Sequence, residues 1–437
     1  MIMSDALEST LHDARNPLNT AQTLAAGMRS DLSLGATIAA PEIPVTVTGT
    51  LSRTASSVSV LPRVELAPGG TRNLLPTEGP RYQHMKSIGE GGMGEVALAE
   101  DRDIGRMVAL KRLHPGAASQ SPGALARFVD EVRIVGSLEH PNIVPIHDVG
   151  VDAEGRFFFV MTFVDGQTLE SIIEKLRAGD PETVRRFDMT RRTEIFVGIL
   201  RALEYAHGRG YLHRDIKPAN VMVGRHGEVV LMDWGVARPI GGASDTTTAA
   251  PAPAGGSATL DRSRASATHV GALIGTPLYM SPEQAEGKTD ALDVRSDLFS
   301  AAVLFHELCG LTHRFEHIRS LPELLVAAQK TPPPHNTRMF AASQQKDVPA
   351  ELTHFLHKAL QLRPEDRWAS AEQMVDELHA ILDGRCRVQC PVTLMKRTSR
   401  GLGRFVDRHP IVSMWIVSLS ALALVGLVGI AVHDVLT

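Results

Sequence analysis

The sequence is poor in cysteine and has little excess of either charge. Its 437 residues include three cysteines, an odd number that suits a reducing compartment better than a disulfide framework. The 45 basic and 49 acidic residues leave a formal net charge of −4. A chain with this charge balance lacks the excess of basic residues typical of nucleic-acid-binding proteins, so we expect no nucleic-acid partner.

Aromatic residues make up 5% of the chain, and two long segments contain none. Residues 1–80 and 239–268 have no Phe, Trp or Tyr and are rich in small and hydroxylated residues. Such a composition cannot bury enough apolar surface to offset the entropy of ordering the chain. We therefore expect a disordered leader over 1–80 and a disordered insert over 239–268.

Residues 411–432 lack charge altogether and are mostly Leu, Val, Ile and Ala. As a helix they would be about 33 Å long, against a hydrocarbon core of about 30 Å. This predicts a single transmembrane helix over 411–432. The basic linker 384–410 precedes it and the tail 433–437 has no Lys or Arg. The positive-inside rule then places the body of the chain in the cytoplasm, with the linker along anionic membrane lipid.

Residues 213–220, His-Arg-Asp-Ile-Lys-Pro-Ala-Asn, combine an acidic, a basic and an amide side chain in one short segment. Asp215 can accept the proton of a hydroxyl, Lys217 can neutralise phosphoryl oxygens, and Asn220 can hold a metal ion. Together these groups suit the transfer of a phosphoryl group from ATP. The same string could also be a surface loop, so the prediction depends on the motifs around it.

A glycine-rich loop lies upstream, with a G-x-G-x-x-G spacing at Gly89, Gly91 and Gly94. Glycines let a backbone approach phosphates closely, but dinucleotide-binding folds use the same spacing where a helix begins. Here residues 95–100 form an apolar run without helical spacing. The loop is therefore predicted to be the turn of a β-hairpin that covers the nucleotide.

Lys111 ends the apolar run 108–111, where the returning strand of that hairpin would lie beneath the nucleotide. A lysine in this place needs a carboxylate to hold it against the phosphates. The apolar spacing over 125–138 predicts a helix with one buried face. Glu131 lies beside that face and is the candidate partner, with Asp130 as the alternative.

Asp233 follows a short apolar strand and enters a turn that ends at Gly235. Mg²⁺ prefers oxygen ligands and shares its coordination with substrate phosphates. We therefore expect Asp233 and Asn220 to hold Mg²⁺ together with ATP. Residues 275–283, Gly-Thr-Pro-Leu-Tyr-Met-Ser-Pro-Glu, close this part of the chain.

In this order, the motifs resemble the Hanks-type (eukaryotic-like) Ser/Thr protein kinases of bacteria over roughly residues 81–383. The resemblance implies an α+β class and a bilobal protein kinase fold. The small β-rich N-lobe would cover 81–163 and the larger helical C-lobe 164–383, followed by the C-terminal transmembrane helix. Trp234, Ser281 and Thr162 depart from the family pattern, and none of the three removes a catalytic group.

The resemblance also implies roles for individual residues. The catalytic residues would be Asp215, Lys217, Lys111, Glu131 and Thr276, and the metal ligands Asn220 and Asp233. The nucleotide would be contacted by Ile88, Gly89, Glu90, Gly91, Gly92, Met93, Gly94, Val96, Ala109, Lys111, Met161, Phe163 and Met222. Glu283 would form a structural pair with Arg367, and Asp297 would anchor the catalytic loop from a buried helix.

Lys217 and Thr276 are typical of the Ser/Thr branch, so the expected substrates are Ser and Thr hydroxyls of proteins. Arg214 is typical of members that are activated when a phosphate on the activation segment pairs with it. Thr268 in the insert is the favoured acceptor, and a homodimer would allow autophosphorylation.

Two alternatives are weighed against this function. A pseudokinase scaffold that binds nucleotide without turnover would have lost a catalytic group, and a small-molecule phosphotransferase would lack segment 276–283. We expect a single-pass protein of a bacterial inner membrane, with its kinase domain in the cytoplasm.

Overall fold

The structure is a computed structural model. It describes residues 63–66, 72–75, 79–90, 94–115, 122–240, 276–288, 291–318, 320–333, 348–385, 390, 393, 395–396, 398, 405–406 and 408–436. In the last of these ranges, the side chains are described only in part.

Twelve strands lie in the described residues, and five of them form one antiparallel sheet in the order β3-β4-β5-β7-β6. They are β1 (Arg63–Leu66), β2 (Arg72–Leu75), β3 (Tyr82–Glu90), β4 (Gly94–Asp101), β5 (Arg106–Leu113), β6 (Ile146–Val151), β7 (Phe157–Thr162), β8 (Gly166–Thr168), β9 (Tyr211–Leu212), β10 (Val221–Gly224), β11 (Val229–Leu231) and β12 (Arg238–Pro239).

The five-stranded sheet is the N-lobe, and its first hairpin confirms the strand predicted after the glycine loop. β3 and β4 pair with Gly89 opposite Val96, and β4 and β5 pair with Val96 opposite Lys111. A Cβ atom at Gly94 would lie 2.0 Å from the carbonyl oxygen of Arg112. Glycine is therefore required at Gly94, because β4 begins directly against the backbone of β5.

Ten α-helices lie in the described residues. They are α1 (Pro122–Gly136), α2 (Leu169–Arg177), α3 (Pro181–Arg186), α4 (Met189–Gly208), α5 (Pro282–Ala285), α6 (Val294–Gly310), α7 (Leu321–Lys330), α8 (Ala350–Ala359), α9 (Ala371–Leu382) and α10 (Pro410–Leu436).

Helices α4 and α6 form the centre of the C-lobe. Phe196 of α4 stacks on Phe305 of α6 with ring centroids 4.1 Å apart, and Phe355 of α8 meets both edge-on. All three rings are buried, and burial of an aromatic side chain is a large stabilising contribution. Side-chain caps from Asp188 and Asp293 fix where these two central helices begin. This rigid centre is what holds the catalytic loop.

Two expectations about the ends of the chain need correction. The leader predicted to be disordered over 1–80 contains the hairpin β1–β2, which pairs Val64 with Leu74. Its sequence has apolar residues on either side of Pro-Gly-Gly at 68–70, a local strand signal that the average composition of the leader conceals. Among the residues that the structure describes, no helix is both long and apolar enough to cross a membrane. The transmembrane helix predicted over 411–432 is therefore not supported.

The described residues of the linker 384–410 contact the C-lobe, which its basic composition does not predict. Lys396 Nζ lies 2.9 Å from Oε2 of Glu351, a buried carboxylate in the first turn of α8. Thr393 is fully buried. In the insert 239–268, residues 241–268 lie outside the described residues.

Candidate active site

The catalytic loop is anchored by a carboxylate deep in the C-lobe. Asp297 of α6 accepts hydrogen bonds from the main-chain N–H groups of His213 and Arg214, at 2.8 and 2.9 Å. Nε2 of His207, on α4, lies 2.9 Å from the same carboxylate. Burial would raise the pKa of Asp297, but His207 and the other donors outweigh it and hold the pKa below its ordinary value. The geometry matches the role implied for Asp297, whereas sequence reasoning does not find His207.

Asp215 is held by three neighbouring side chains and is 3% exposed. Thr276 Oγ1 donates a hydrogen bond to Asp215 Oδ1 at 2.7 Å, and Lys217 Nζ lies 2.9 Å from Asp215 Oδ2. Lys217 also donates to Thr276 Oγ1 at 3.0 Å, which closes a triangle. Asn220 Nδ2 adds a donor to Oδ2 at 3.2 Å. These contacts fix the orientation of the Asp215 carboxylate, as a general base requires.

Lys111 of β5 meets Glu131 of α1, the partner that the sequence favours. Lys111 Nζ is 2.6 and 2.9 Å from the two carboxylate oxygens of Glu131 and 3.5 Å from Oδ1 of Asp233. Burial lowers the pKa of Lys111, but the two carboxylates more than offset burial and raise it, so the ammonium stays charged. The alternative, Asp130, is half-exposed and lies 4.0 Å from Arg238. The structure thus brings Glu131, and not Asp130, to the lysine.

Asn220 and Asp233, the metal ligands expected from the sequence, each carry a side-chain oxygen. Asn220 Nδ2 donates to Asp215, both to its main-chain oxygen at 2.9 Å and to its carboxylate, which leaves Asn220 Oδ1 as an acceptor. Asp233 follows β11, and the Lys111 ammonium lowers the pKa of Asp233 against the opposing effect of burial. A hydrogen bond from the main-chain N–H of Met232 to the main-chain oxygen of Asn220, at 2.8 Å, ties the two segments together. An amide oxygen and an ionised carboxylate fit the oxygen ligands that Mg²⁺ prefers.

The nucleotide-site residues predicted from the sequence lie mainly on the N-lobe sheet. They are placed on β3 (Ile88, Gly89 and Glu90), β4 (Gly94 and Val96), β5 (Ala109 and Lys111), β7 (Met161), directly after β7 (Phe163) and on β10 (Met222). Ala109 stands opposite Met161 in the sheet register, whereas Met222 packs against the C-lobe core. Gly91, Gly92 and Met93 lie outside the described residues.

Trp234 follows Asp233 directly in the chain and is fully buried. Its ring contacts that of His213, with centroids 4.5 Å apart. His213 Nε2 lies 3.1 Å from the carbonyl oxygen of Met232 and therefore carries the proton, while Nδ1 accepts the N–H of Asp215 at 3.3 Å. Burial lowers the pKa of His213, which suits a neutral ring. Trp234 Nε1 has no hydrogen-bond partner in the described part of the chain.

Segment 276–283 leads from Thr276 to a buried ion pair. Arg367 donates to both carboxylate oxygens of Glu283, each at 2.8 Å, as the resemblance implies. Ser296 Oγ donates to Glu283 Oε1 at 2.7 Å. Ser281 and Gln284 form a capping box around the short helix α5. The S-x-x-Q spacing at 281–284 is a readable signal for such a box, and sequence reasoning does not use it.

The chain is similar in sequence to a known protein family. The family model described as "Protein kinase domain" matches residues 82–379. The chain is 35% identical to the "Probable serine/threonine-protein kinase SCO3848" of Streptomyces coelicolor over 76% of this chain and 44% of that protein. It is 32% identical to the "Serine/threonine-protein kinase PknD" of Protochlamydia amoebophila over 73% of this chain and 32% of that protein.

A third relative matches a shorter part of the chain. The "Probable serine/threonine-protein kinase PknB" of Bifidobacterium longum is 38% identical over 54% of this chain and 31% of that protein. In each of these matches the chain spans less than half the length of the relative. The family model covers most of the chain and coincides with the two lobes described above. The chain therefore belongs to the protein kinase family.

Proposed function

We propose that the chain is an ATP-dependent serine/threonine protein kinase that transfers the γ-phosphoryl group of ATP to protein hydroxyls. The observation that carries this proposal is the hydrogen-bonded triangle of Asp215, Lys217 and Thr276, with the Lys111–Glu131 ion pair in the same site. With Asn220 and Asp233, these residues supply a base, two positive charges and oxygen ligands for a metal ion, which are groups that phosphoryl transfer uses. Completeness of the set favours a working enzyme over a pseudokinase scaffold.

The chain's own residues would divide the work between proton transfer and charge stabilisation. Asp215 orients the acceptor hydroxyl and takes its proton, because Thr276 and Lys217 fix the carboxylate without protonating it. Lys217 and Lys111 place positive charge where the transferred group carries negative charge. Asn220 and Asp233 would hold Mg²⁺, which neutralises phosphate charge when bound.

Serine and threonine are the proposed acceptors because of the contact between Lys217 and Thr276. The resemblance to Ser/Thr kinases places a lysine and a threonine at these two positions, and here they lie 3.0 Å apart. Both side chains contact Asp215, so the acceptor site is bounded by the groups typical of that branch. The names of the three relatives agree with this specificity.

The test uses the full chain with Mg²⁺ and γ-labelled ATP, in the presence of a generic Ser/Thr protein substrate. Asp215→Asn and Lys111→Met should each reduce labelling by about 10²-fold or more, because one removes the base and the other a charge that stabilises the transition state. Glu131→Gln should also reduce it, whereas Asp130→Asn, on the adjacent exposed position, should not. Labelling that is equal in all these proteins, or absent from the wild type, would contradict the proposal.

Control by phosphorylation is a further part of the proposal. Arg214 Nε is buried without a hydrogen-bond partner in the described residues, and burial, together with the charge of Arg238, lowers the pKa of Arg214. A phosphate between these two guanidinium groups would relieve their repulsion. Thr268, the favoured acceptor, lies outside the described residues. Mapping the phosphorylated residues of the wild type and of Asp215→Asn tests this. We expect phosphate on residues 246–268 in the wild type and none there in Asp215→Asn.

Attachment to membrane lipid is proposed on the sequence and on the surface of α10. The helix exposes large apolar side chains on its described part, among them Ile411, Trp415 and Leu422, and a basic run precedes it. Apolar side chains beside basic ones suit an anionic lipid surface. Co-sedimentation with vesicles that contain anionic lipid, but not with neutral ones, is the expected result. Equal recovery in the supernatant with both kinds of vesicle would contradict lipid attachment.

A further inference from the structure

Gln284 connects two segments that are distant in the sequence and adjacent in the site. It lies in α5 and is 6% exposed. Its Oε1 accepts the main-chain N–H of Ser281 at 3.0 Å, and its Nε2 donates to the main-chain oxygen of Arg214 at 3.1 Å. One side-chain amide thus joins the segment that follows Thr276 to the catalytic loop.

The carbonyl that Gln284 holds belongs to a strained residue. Arg214 has φ of 70°, a left-handed conformation that costs free energy for any residue other than glycine. Its N–H is fixed by Asp297 at 2.9 Å. Its C=O belongs to the peptide bond that leads into Asp215, so rotation of this peptide would turn the base. A strained conformation persists only where its surroundings hold it in place.

We infer that Gln284 is a positioning residue for Asp215, which holds the Arg214–Asp215 peptide in its strained orientation and couples it to segment 276–283. Asp297 fixes the N–H end of Arg214, and Gln284 fixes the C=O end. The capping box alone would need only the bonds between Gln284 and Ser281. The bond to Arg214 lies outside the box and serves the catalytic loop. This inference rests on the proposed kinase function.

The first test is Gln284→Met in the full chain. Methionine keeps the length and most of the volume of the side chain but removes the amide. We expect kcat to fall about tenfold, equivalent to about 1.4 kcal/mol in the barrier, with the KM for ATP within about twofold. The matched control is Gln329→Met. It removes a bond of the same type, from Gln329 Nε2 to the main-chain oxygen of Ala285 at 2.9 Å, on the same short helix.

The control separates positioning from simple support of α5. Gln329→Met should leave kcat within about twofold of the wild type, because no described contact of Gln329 reaches the catalytic loop. An equal fall of kcat in both variants would assign the effect to the helix and overturn the inference. Unchanged kcat in Gln284→Met would overturn it directly.

The second test is Gln284→Glu, read as a pH profile. A carboxylate at this place can still accept from Ser281, but it cannot donate to Arg214 and faces its carbonyl oxygen. The protonated carboxyl can donate, and burial raises the pKa of a carboxyl group. The ratio of kcat in this variant to that of the wild type should therefore rise as the pH is lowered from 8 to 6. A ratio that is flat over this range would contradict the inference.

Hydrogen exchange gives a readout that does not need turnover. Amides of the peptide that covers residues 213–220 should exchange faster in Gln284→Met than in the wild type and in Gln329→Met. If the wild type does not phosphorylate, the proposed function fails while this comparison still tests the positioning role. Exchange at the same rate in all three proteins would overturn that role.

Discussion

The buried pair of Glu283 and Arg367 should contribute several kilocalories per mole to the stability of the C-lobe. The side chain of Arg367 is 1% exposed. It donates twice to Glu283 and also to the main-chain oxygens of Gln361, Arg295 and Leu362. Five hydrogen bonds therefore depend on one side chain, and Arg367→Met removes them all.

The magnitude follows from what remains around the carboxylate. Without Arg367, Glu283 keeps the hydrogen bond from Ser296 at 2.7 Å but has lost its counter-charge. Breaking a buried pair from one side costs about 3–5 kcal/mol, because an uncompensated charge stays buried. Whole domains are stable by only about 5–15 kcal/mol. Arg367→Met should therefore remove a large fraction of the free energy of unfolding.

A double-mutant cycle measured by urea unfolding tests this reasoning. Glu283→Leu, Arg367→Met and the double variant are compared with the wild type at pH 7. The loss of free energy of unfolding in the double variant should be smaller than the sum of the two single losses, by at least about 2 kcal/mol, because no charge is left buried. Additive losses would refute the argument, because they would mean that the two charges do not depend on each other.

The pH dependence supplies a second check on the same pair. Burial would raise the pKa of Glu283, but the hydrogen bonds from Arg367 and Ser296 outweigh burial and lower it. A lowered pKa in the folded state gives stability that is present above the unfolded pKa and lost as the pH falls through the folded pKa. In Arg367→Met the carboxyl loses the charge and the hydrogen bonds that chiefly oppose burial, so it protonates more readily. The deficit of this variant relative to the wild type should therefore be smaller at pH 4.5 than at pH 7.

Three further outcomes are expected. Burial and the neighbouring Arg314 lower the pKa of His313 to about 4, so below about pH 6.5 the unfolded state binds more protons and the wild type loses stability. Between pH 7 and pH 5, the free energy of unfolding measured in urea should fall by about 2 kcal/mol less in His313→Gln than in the wild type. Equal falls in the two proteins would count against this. Lys396→Met deprives the buried Glu351 of its ion pair and should cost about 1–2 kcal/mol in thermal unfolding, since the lysine is partly exposed; exposed Lys330→Met is the control. Trp234→Phe removes a buried N–H that has no partner in the described residues. This relief offsets the packing lost with the smaller ring, so the free energy of unfolding should fall by less than about 1 kcal/mol. A fall above about 3 kcal/mol would disprove the offset.

Much of the N-lobe could be predicted because its signals are local. The lack of helical spacing after the glycine loop predicts a hairpin and not a helix, and the antiparallel pair β3–β4 confirms that interpretation. Helical spacing placed Glu131 beside the buried face of α1 and left Asp130 as an alternative. Adjacent residues on a helix are separated by about 100°. One position can therefore reach Lys111 while its neighbour turns towards Arg238.

The contacts that hold the catalytic loop were harder to predict because they join distant parts of the chain. His207 and Gln284 act on Asp297 and on the main-chain oxygen of Arg214. The bond from Gln284 to a backbone carbonyl leaves no complementary residue type at the other end, and His207 lies 90 residues from Asp297 in the sequence. Motif order can therefore indicate which residues meet ATP, but it does not indicate which residues fix the backbone beneath them.

Asp215 and Asp233 lie next to or at left-handed backbone, which residues other than glycine seldom adopt. Arg214, directly before Asp215, and Asp233 itself have φ of 70° and 58°. Left-handed conformations at such residues are retained only where the surroundings impose them. For Arg214 these surroundings are Asp297 and Gln284, and for Asp233 they include the charge of Lys111. The octapeptide thus supplies the reactive groups, while residues far from it in the sequence determine where those groups point.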